Sequence, residues 1–198
     1  MTLRAGRSLI CAGFGVWIIV VGAGFAAMWR YAMTPGLAAS AAARWPSASF
    51  AFDRTRPNLV TVLHPECVCS KATLEEISRL SAEFAGQLTV FAVVDASATG
   101  TGSAEATRLL TRVRAMPGVR LIVDRDGREV ERFGAKVSGQ TFLYDRDGRL
   151  QFSGGVTMSR GHVGPNAGTE AIRHVLQSKP AAPTAAVFGC ALPRGGRV

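Results

Sequence analysis

The feature that most constrains the fold is the regular alternation of strand-like and helix-like segments between residues 58 and 177. Three short runs rich in β-branched and apolar residues predict buried strands, at 58–64, 87–95 and 119–124. Between them, apolar residues recur every three or four positions, which predicts amphipathic helices at 71–84 and 104–116. Strands joined by helices of this length pair side by side, so the alternation predicts a mostly parallel sheet.

The second part of this region adds a hairpin to the sheet. Segment 141–154 (TFLYDRDGRLQFSG) contains two alternating runs around Asp145–Gly148, where aspartate and glycine favour a tight turn. A short helix is predicted at 127–135 and a last helix at about 168–177. The resulting order, β-α-β-α-β-(α)-β-β-α, predicts an α/β fold with a mixed central sheet.

A long apolar segment precedes this region. Residues 9–29 are 21 positions without a charge, which is about what a helix needs to cross a hydrocarbon core of ~30 Å. Arg4 and Arg7 precede the segment, which favours a cytoplasmic N-terminus and a domain on the other side. A retained anchor is favoured, because the apolar part of a cleaved signal peptide spans roughly 7–15 residues. The small-residue run at 37–43 keeps cleavage open as the alternative.

These patterns divide the chain into five predicted segments. The stretch after the apolar helix is rich in alanine, proline and serine, which is typical of a linker. The predicted segments are a cytoplasmic N-terminus at 1–8, a transmembrane anchor at 9–30, a linker at 31–49, a folded domain at 50–178 and a C-terminal tail at 179–198.

The net charge follows the same division. The chain carries a formal charge of +9, of which +7 lies in residues 1–50 and 178–198, leaving +2 on residues 51–177. A nucleic-acid-binding domain carries its basic excess on a folded face. The distribution therefore argues against nucleic acid as a partner.

Two cysteines, Cys67 and Cys69, lie between the first predicted strand and the first long helix. A thiol at such a junction is close to the unpaired N–H groups and the positive end of the helix dipole, which both stabilise a thiolate. Lys71 adds a positive charge nearby. The pattern therefore predicts a lowered pKa and a nucleophilic, redox-active sulfur at Cys67. A pair of buried structural cysteines is the alternative.

The spacing of the two cysteines restricts a disulfide between them. Residues two apart on a helix point to nearly opposite sides, because each residue turns the helix by ~100°. A Cys67–Cys69 disulfide therefore needs non-helical backbone, as in the turn before the helix. If the helix instead begins at Cys67, that cysteine needs another partner.

Three motifs give the chain a family resemblance. They are HPECVCSKATL at 64–74, SGGVTMSRGHVGPNAG at 153–168 and VFGCAL at 187–192. In this order they resemble the membrane-anchored thioredoxin-like proteins of the RedB family, in the thioredoxin superfamily. The resemblance implies a three-layer α/β/α thioredoxin-like domain, held by a single-pass anchor in the bacterial inner membrane and facing the periplasm. It implies protein thiols or disulfides as partners and requires no cofactor.

The chain departs from ordinary thioredoxins at two places. When Cys67 is aligned with the first cysteine of their W-C-x-x-C-[KR] motif, Ser70 stands at the second cysteine and Lys71 at the basic residue. Gln140 precedes Thr141 where a cis-proline is expected before the hairpin. Because that proline shapes the substrate groove in thioredoxins, its replacement argues against general protein-disulfide exchange.

The loop after the hairpin, 157–168, is predicted to lie near Cys67, because the second hairpin strand returns toward the same end of the sheet. In this loop Arg160 can stabilise a thiolate or an anionic group. His162 can transfer a proton or bind a metal, and Asn166 can cap the last helix. A solvated glycine-rich loop is the alternative.

Cys190 lies in a tail rich in proline and alanine. The neighbouring apolar residues Val187, Phe188 and Leu192 can dock the tail on the domain. Cys190 is then a candidate resolving thiol for Cys67 or Cys69, or a partner for another protein. A tail cysteine with no special role is the alternative.

Together these residues favour a thiol–disulfide oxidoreductase with Cys67 as nucleophile and Cys69 or Cys190 as resolving thiol. Lys71, Arg160 and His162 complete the predicted site. A peroxidase with a single reactive cysteine is an alternative, as is a non-enzymatic assembly factor for a membrane complex.

A Cu(I)-binding metallochaperone is a further alternative. Cys67 and Cys69 with His162 or His64 form a set of soft ligands that suits Cu(I), and Sco-like copper chaperones are similar in using two cysteines and a histidine on this fold. The similarity is incomplete, because those proteins have C-x-x-x-C and a histidine before the hairpin, whereas residues 137–141 contain none.

Overall fold

The computed structural model describes residues 2–97 and 101–193, with side chains from residue 12 onward. The chain divides into two compact units, and the boundary falls between Thr34 and Pro35. The first residue of the predicted N-terminal segment and the last five residues of the predicted tail lie outside the described residues.

The first unit is one helix, α1 (Thr2–Met33). Its part from Ala12 to Met33 is long and apolar enough to cross a membrane, and none of it is buried inside the protein. This is the segment predicted as an anchor. A signal sequence near the N-terminus has the same length and composition, so the helix fits both interpretations.

The second unit contains a five-stranded sheet with helices on both faces. Its elements are β1 (Asn58–Leu63), α2 (Cys69–Glu83), β2 (Thr89–Asp95), α3 (Ala104–Arg114), β3 (Val119–Asp124), α4 (Arg128–Phe133), β4 (Thr141–Tyr144), β5 (Leu150–Gly154) and α5 (Ala167–Leu176). The strand order is β3-β2-β1-β4-β5. β1, β2 and β3 are parallel, whereas β4 is antiparallel to β1 and β5 to β4. The predicted mixed α/β sheet is confirmed.

The direction of the crossovers decides which face each helix covers. The chain moves from β1 to β2 and on to β3 in one direction, so right-handed crossovers place α2 and α3 on the same face. α5 packs on that face too, against residues such as Leu59 and Phe152. α4 covers the opposite face, where Phe133 packs against Val60 and Phe142. Both central strands, β1 and β2, are buried along their whole length.

The N-terminal part of the second unit also covers that opposite face. The ring of Trp45 lies 5.4–5.6 Å from the rings of Phe91, Phe133 and Tyr144. The backbone of this part also binds to the sheet, because the carbonyl of Ala43 accepts a hydrogen bond from the Leu150 N–H at 3.0 Å. The part of the predicted linker (31–49) that lies around Ala43 and Trp45 is therefore docked on the domain.

Two local predictions are confirmed at the hairpin and the last helix. Asp145 Oδ1 accepts hydrogen bonds from the N–H groups of Asp147 and Arg149, at 2.9 and 2.8 Å, and so shapes the turn between β4 and β5. Asn166 caps α5, with its Oδ1 accepting from the Thr169 N–H at 2.9 Å.

Candidate active site

The site begins where β1 ends and α2 has not yet started. α2 begins at Cys69, so Cys67 lies in the preceding turn rather than in the helix. The carbonyl of His64 holds this turn, accepting hydrogen bonds from the Cys67 N–H at 3.2 Å and the Ser70 hydroxyl at 2.8 Å. Cys67 therefore lies outside α2, although Val68 between the two cysteines already has helical backbone angles (φ −58°, ψ −27°).

The sulfur of Cys67 has Cys69 and Cys190 as its neighbours. The side chain and the backbone N–H of Cys69 both act to lower the pKa of Cys67. The backbone N–H of Cys190 donates a hydrogen bond to the same sulfur at 3.4 Å, and the Cys190 side chain also lowers the pKa of Cys67. None of these three cysteines is in a disulfide bond. Cys67 Sγ is thus the centre of a cluster drawn from the start of α2 and from the tail.

This arrangement concentrates negative charge on Cys67. Hydrogen bonding from the Cys69 thiol, opposed by burial and aided by the groups of Cys190, lowers the pKa of Cys67 to about 4. The same hydrogen bond, together with burial, raises the pKa of Cys69. Burial and the hydrogen bond to Cys67 raise the pKa of Cys190 to about 11, while the charge of Arg160 opposes that rise. The cluster therefore holds one thiolate between two protonated thiols.

The start of α2 acts on Cys67, and Lys71 is not among the largest influences on the Cys67 pKa. The Cys69 N–H is the first amide of α2, and it lowers the pKa of Cys67. Lys71 is exposed, and the groups that lower the Cys67 pKa are the thiols and amides of Cys69 and Cys190.

Ser70, which stands where a second cysteine is expected, has a structural contact instead. Its hydroxyl lies 3.1 Å from the hydroxyl of Ser138, which also accepts a hydrogen bond from the His64 N–H at 3.0 Å. Gln140, in the cis-proline position, offers its carbonyl to the Val62 N–H at 2.8 Å. These bonds tie the segment before β4 to the turn that carries Cys67.

The tail docks on this same segment. The Ser138 N–H donates to the Cys190 carbonyl and the Leu192 N–H to the Lys136 carbonyl, both at 2.9 Å, in an antiparallel bridge. Val187 and Leu192 are buried on either side of Cys190. The predicted docking of the tail is confirmed.

The pairing partner of the tail was not predicted. No periodicity in the sequence marks Ser138 as a residue that pairs with the tail. The available signal is Gly189 in VFGCAL, because a Cβ there would lie 1.9 Å from the Ser138 carbonyl oxygen. Only a residue without a side chain allows this approach of two backbones.

The loop 157–168 lies beside the thiols, as predicted from the hairpin. The Gly161 N–H acts on the Cys69 thiol and opposes the rise in its pKa. Arg160 Nη1 donates to the carbonyl of Gly189 in the tail. The Gly164 N–H donates to the buried carboxylate of Glu76 at 2.8 Å, which fastens the loop to α2. Glu76 was missed in the sequence because a helical glutamate gives no sign of a partner 88 residues away.

Within the described part of the chain, the hydrogen bonds of the two predicted histidines go to groups other than the thiols. His162 is exposed, and its Nδ1 lies 2.7 Å from the Arg160 carbonyl and 3.1 Å from the Ser159 hydroxyl. His64 Nδ1 accepts from the Glu66 N–H at 3.3 Å. Among the residues that the structure describes, no group of three His, Cys, Asp or Glu side chains is placed to hold a metal ion. The copper ligand set of Cys67, Cys69, His162 and His64 is therefore not assembled in this arrangement.

Comparison with solved structures gives fold neighbours. The chain is similar to a hypothetical protein from Sinorhizobium meliloti 1021, with 22% identity, a TM-score of 0.57 and coverage of 80% of this chain and 93% of that chain. It is similar to an uncharacterized conserved protein from Geobacillus kaustophilus, with 17% identity, a TM-score of 0.58 and coverage of 80% and 90%. No family model and no curated protein matches the sequence.

A weaker likeness, with a TM-score of 0.47, is to the exposed lipoprotein thioredoxin of Streptococcus pneumoniae strain TIGR4, at 18% identity over 63% of this chain and 86% of that chain. The strand order is evidence for the fold that does not depend on this likeness. β4 and β5 form an antiparallel hairpin at one edge, and the cysteines lie at the β1–α2 junction. This strand order, with the antiparallel hairpin at one edge, gives the second unit of the chain a thioredoxin-like α/β fold.

Proposed function

We propose that the protein is a membrane-tethered, extracytoplasmic thiol–disulfide oxidoreductase with Cys67 as its nucleophile. The observation that carries this proposal is the position of Cys67 beside two other free cysteines, with the Cys190 N–H 3.4 Å from its sulfur and with Cys69 lowering its pKa. Because the neighbouring groups of Cys69 and Cys190 lower the pKa of Cys67 to about 4, its sulfur is a thiolate at neutral pH, and the thiolate is the form that attacks a disulfide.

The proposed reaction proceeds through a mixed disulfide. The Cys67 thiolate attacks one sulfur of a protein disulfide, so that an S–S bond to Cys67 forms and the other sulfur of the substrate leaves as a thiolate that takes up a proton. A second thiolate of the chain then attacks Cys67 Sγ. The substrate's remaining sulfur leaves, its disulfide has gained two electrons, and the chain has lost two as an internal disulfide.

Cys190 is the better resolving thiol of the two candidates. The charge of Arg160 favours its thiolate. Cys190 is also partly exposed, while Cys69 has only 1% of its surface exposed. A disulfide between residues two apart needs strained backbone, which the Cys67–Cys190 pair does not require.

The other predicted residues take lesser parts in this proposal. Arg160 favours the Cys190 thiolate and holds the tail through Gly189. Lys71 and His162 are both exposed. They are weaker candidates, since neither hydrogen-bonds to a thiol.

The anchor and the location complete the proposal. Ala12–Met33 has the length and composition of a membrane span. With the three motifs quoted above, it supports membership of the RedB family and a domain at 50–178 facing the periplasm from the bacterial inner membrane. Cell fractionation tests the anchor. A retained helix leaves the full-length chain in the membrane fraction, whereas cleavage releases a shorter chain.

Trapping of the mixed disulfide tests the chemistry. We expect a reduced Cys190→Ser protein to accumulate a covalent complex with a disulfide-bonded protein, because its resolving thiol is missing. Cys69→Ser should accumulate far less, and Cys67→Ser none. Non-reducing gels and peptide mass spectrometry give the readout. Complexes that persist in Cys67→Ser, or that form in no variant, would refute the proposal.

A further inference from the structure

We propose that residues 187–192, here called the strap, close the site and must leave it before a protein disulfide can reach Cys67. On its return the strap brings Cys190 back to Cys67 Sγ. This inference rests on the proposed function and adds to it an internal gate and the kind of segment that opens it.

The strap is held as an added length of strand. The backbone groups of Ser138 and Lys136 pair with those of Cys190 and Leu192 at 2.9 Å, as an edge strand pairs with a neighbour. Arg160 adds a hydrogen bond to the carbonyl of Gly189. The strap therefore occupies the backbone donors and acceptors of the segment that precedes β4.

The strap also covers the nucleophile. Cys67 has only 3% of its surface exposed, and the backbone N–H of Cys190 donates to its sulfur at 3.4 Å. Exchange requires direct contact between the attacking sulfur and a sulfur of the substrate. With the strap in place, the position next to Cys67 Sγ that a substrate sulfur needs is taken by Cys190.

The strap has the properties of a segment that opens on its own. Outside its single bridge it belongs to no helix or strand, and Phe188, Cys190 and Ala191 are partly or fully exposed. Two buried side chains, Val187 and Leu192, anchor it. Short segments with few buried contacts open at a fraction of the free energy of global unfolding.

The backbone groups of residues 136–138, which pair with the strap, indicate what kind of partner can displace it. Once the strap leaves, Ser138 offers an N–H and Lys136 a carbonyl to an extended polypeptide, which can pair as the strap did. The close approach of Gly189 to the Ser138 carbonyl leaves no room for a side chain there. The fitting occupant is an extended protein segment in which a small residue precedes the disulfide-bonded cysteine.

Gly189→Ala tests the gate in the reduced full-length protein. Its Cβ would lie 1.9 Å from the Ser138 carbonyl oxygen, so the strap is pushed off while Cys190 is retained. We expect modification of Cys67 by a bulky maleimide, followed by peptide mass spectrometry, to be about ten- to a hundredfold faster than in the wild type. Gly102→Ala is the matched control, because no atom lies within 4 Å of its Cβ position. It should leave the rate unchanged.

Equal Cys67 modification rates in folded Gly189→Ala and wild-type protein would overturn the gate. If Gly189→Ala does not fold, hydrogen exchange in the wild type decides: the Leu192 and Ser138 amides should exchange well before those of β1, and equal protection would overturn the gate. Because maleimide labelling needs no exchange activity, faster labelling without any mixed disulfide would refute the proposed function and leave the gate standing.

Discussion

The backbone N–H of Cys190 lies 3.4 Å from the sulfur of Cys67, although 123 residues separate the two in the chain. The contact depends on backbone pairing between the tail and the segment before β4. It brings a third thiol to a junction where the sequence alone places two. The chemistry of the site follows from this contact, and so do most of the tests below.

The first prediction concerns the charge state of Cys67. Because hydrogen bonds lower its pKa to about 4, the folded protein should keep a Cys67 thiolate through most of the acidic range. Titration of the reduced protein by ultraviolet thiolate absorbance, with Cys67→Ser as the blank, measures it. A Cys67 pKa at the ordinary thiol value would contradict the hydrogen-bonded cluster.

The second prediction follows by linkage. A depressed thiol pKa stabilises the fold fully above the pKa of the unfolded thiol, and this contribution is lost as the pH falls through the folded pKa. The difference in unfolding free energy between wild type and Cys67→Ser should therefore shrink as the pH falls from about 8.5 toward about 4. Urea denaturation at several pH values provides the data. A difference that grows toward low pH has the wrong sign for this cluster.

The third prediction separates the two parts that Cys69 plays. Its thiol is the first cause of the lowered Cys67 pKa, and its backbone N–H also donates. Cys69→Ala should raise the Cys67 pKa, whereas Cys69→Ser keeps a side-chain donor and should raise it less. Alkylation rates of Cys67 as a function of pH report both values. Identical profiles in the two variants would show that the side-chain donor has no effect.

The fourth prediction tests the docked N-terminal stretch. Trp45 packs on three rings of the core, so Trp45→Ala should lower the free energy of unfolding by about 2–4 kcal/mol. Trp29→Ala, at an exposed position of α1, is the control and should leave the domain's stability unchanged. A Trp45→Ala domain as stable as the wild type would mean that the stretch is a free linker.

Much of the fold was predictable because it repeats a local pattern. The strand at 119–124 was predicted with its observed bounds, and the turn at Asp145–Gly148 followed from its aspartates and glycine. The first long helix begins at Cys69, two residues before the predicted start at Lys71. The His64 carbonyl accepts hydrogen bonds from Cys67 and Ser70, and these bonds form the turn from which the helix starts.

The candidate site was only partly predictable. The sequence placed Cys67 at a strand–helix junction, and it placed the 157–168 loop near that junction through the direction of the hairpin. It did not specify that Ser138 pairs with the tail or that Trp45 docks on the sheet, since both depend on contacts between distant residues. Such contacts leave no periodicity in the sequence, and only single glycines such as Gly189 mark them.

Disulfide mapping in the wild-type protein tests the central claim most directly. The reduced full-length protein is allowed to react with a disulfide-bonded protein, quenched with acid, and digested for mass spectrometry. The account predicts that the internal disulfide joins Cys67 to Cys190. A product in which Cys67 remains a free thiol while the substrate is reduced would contradict it.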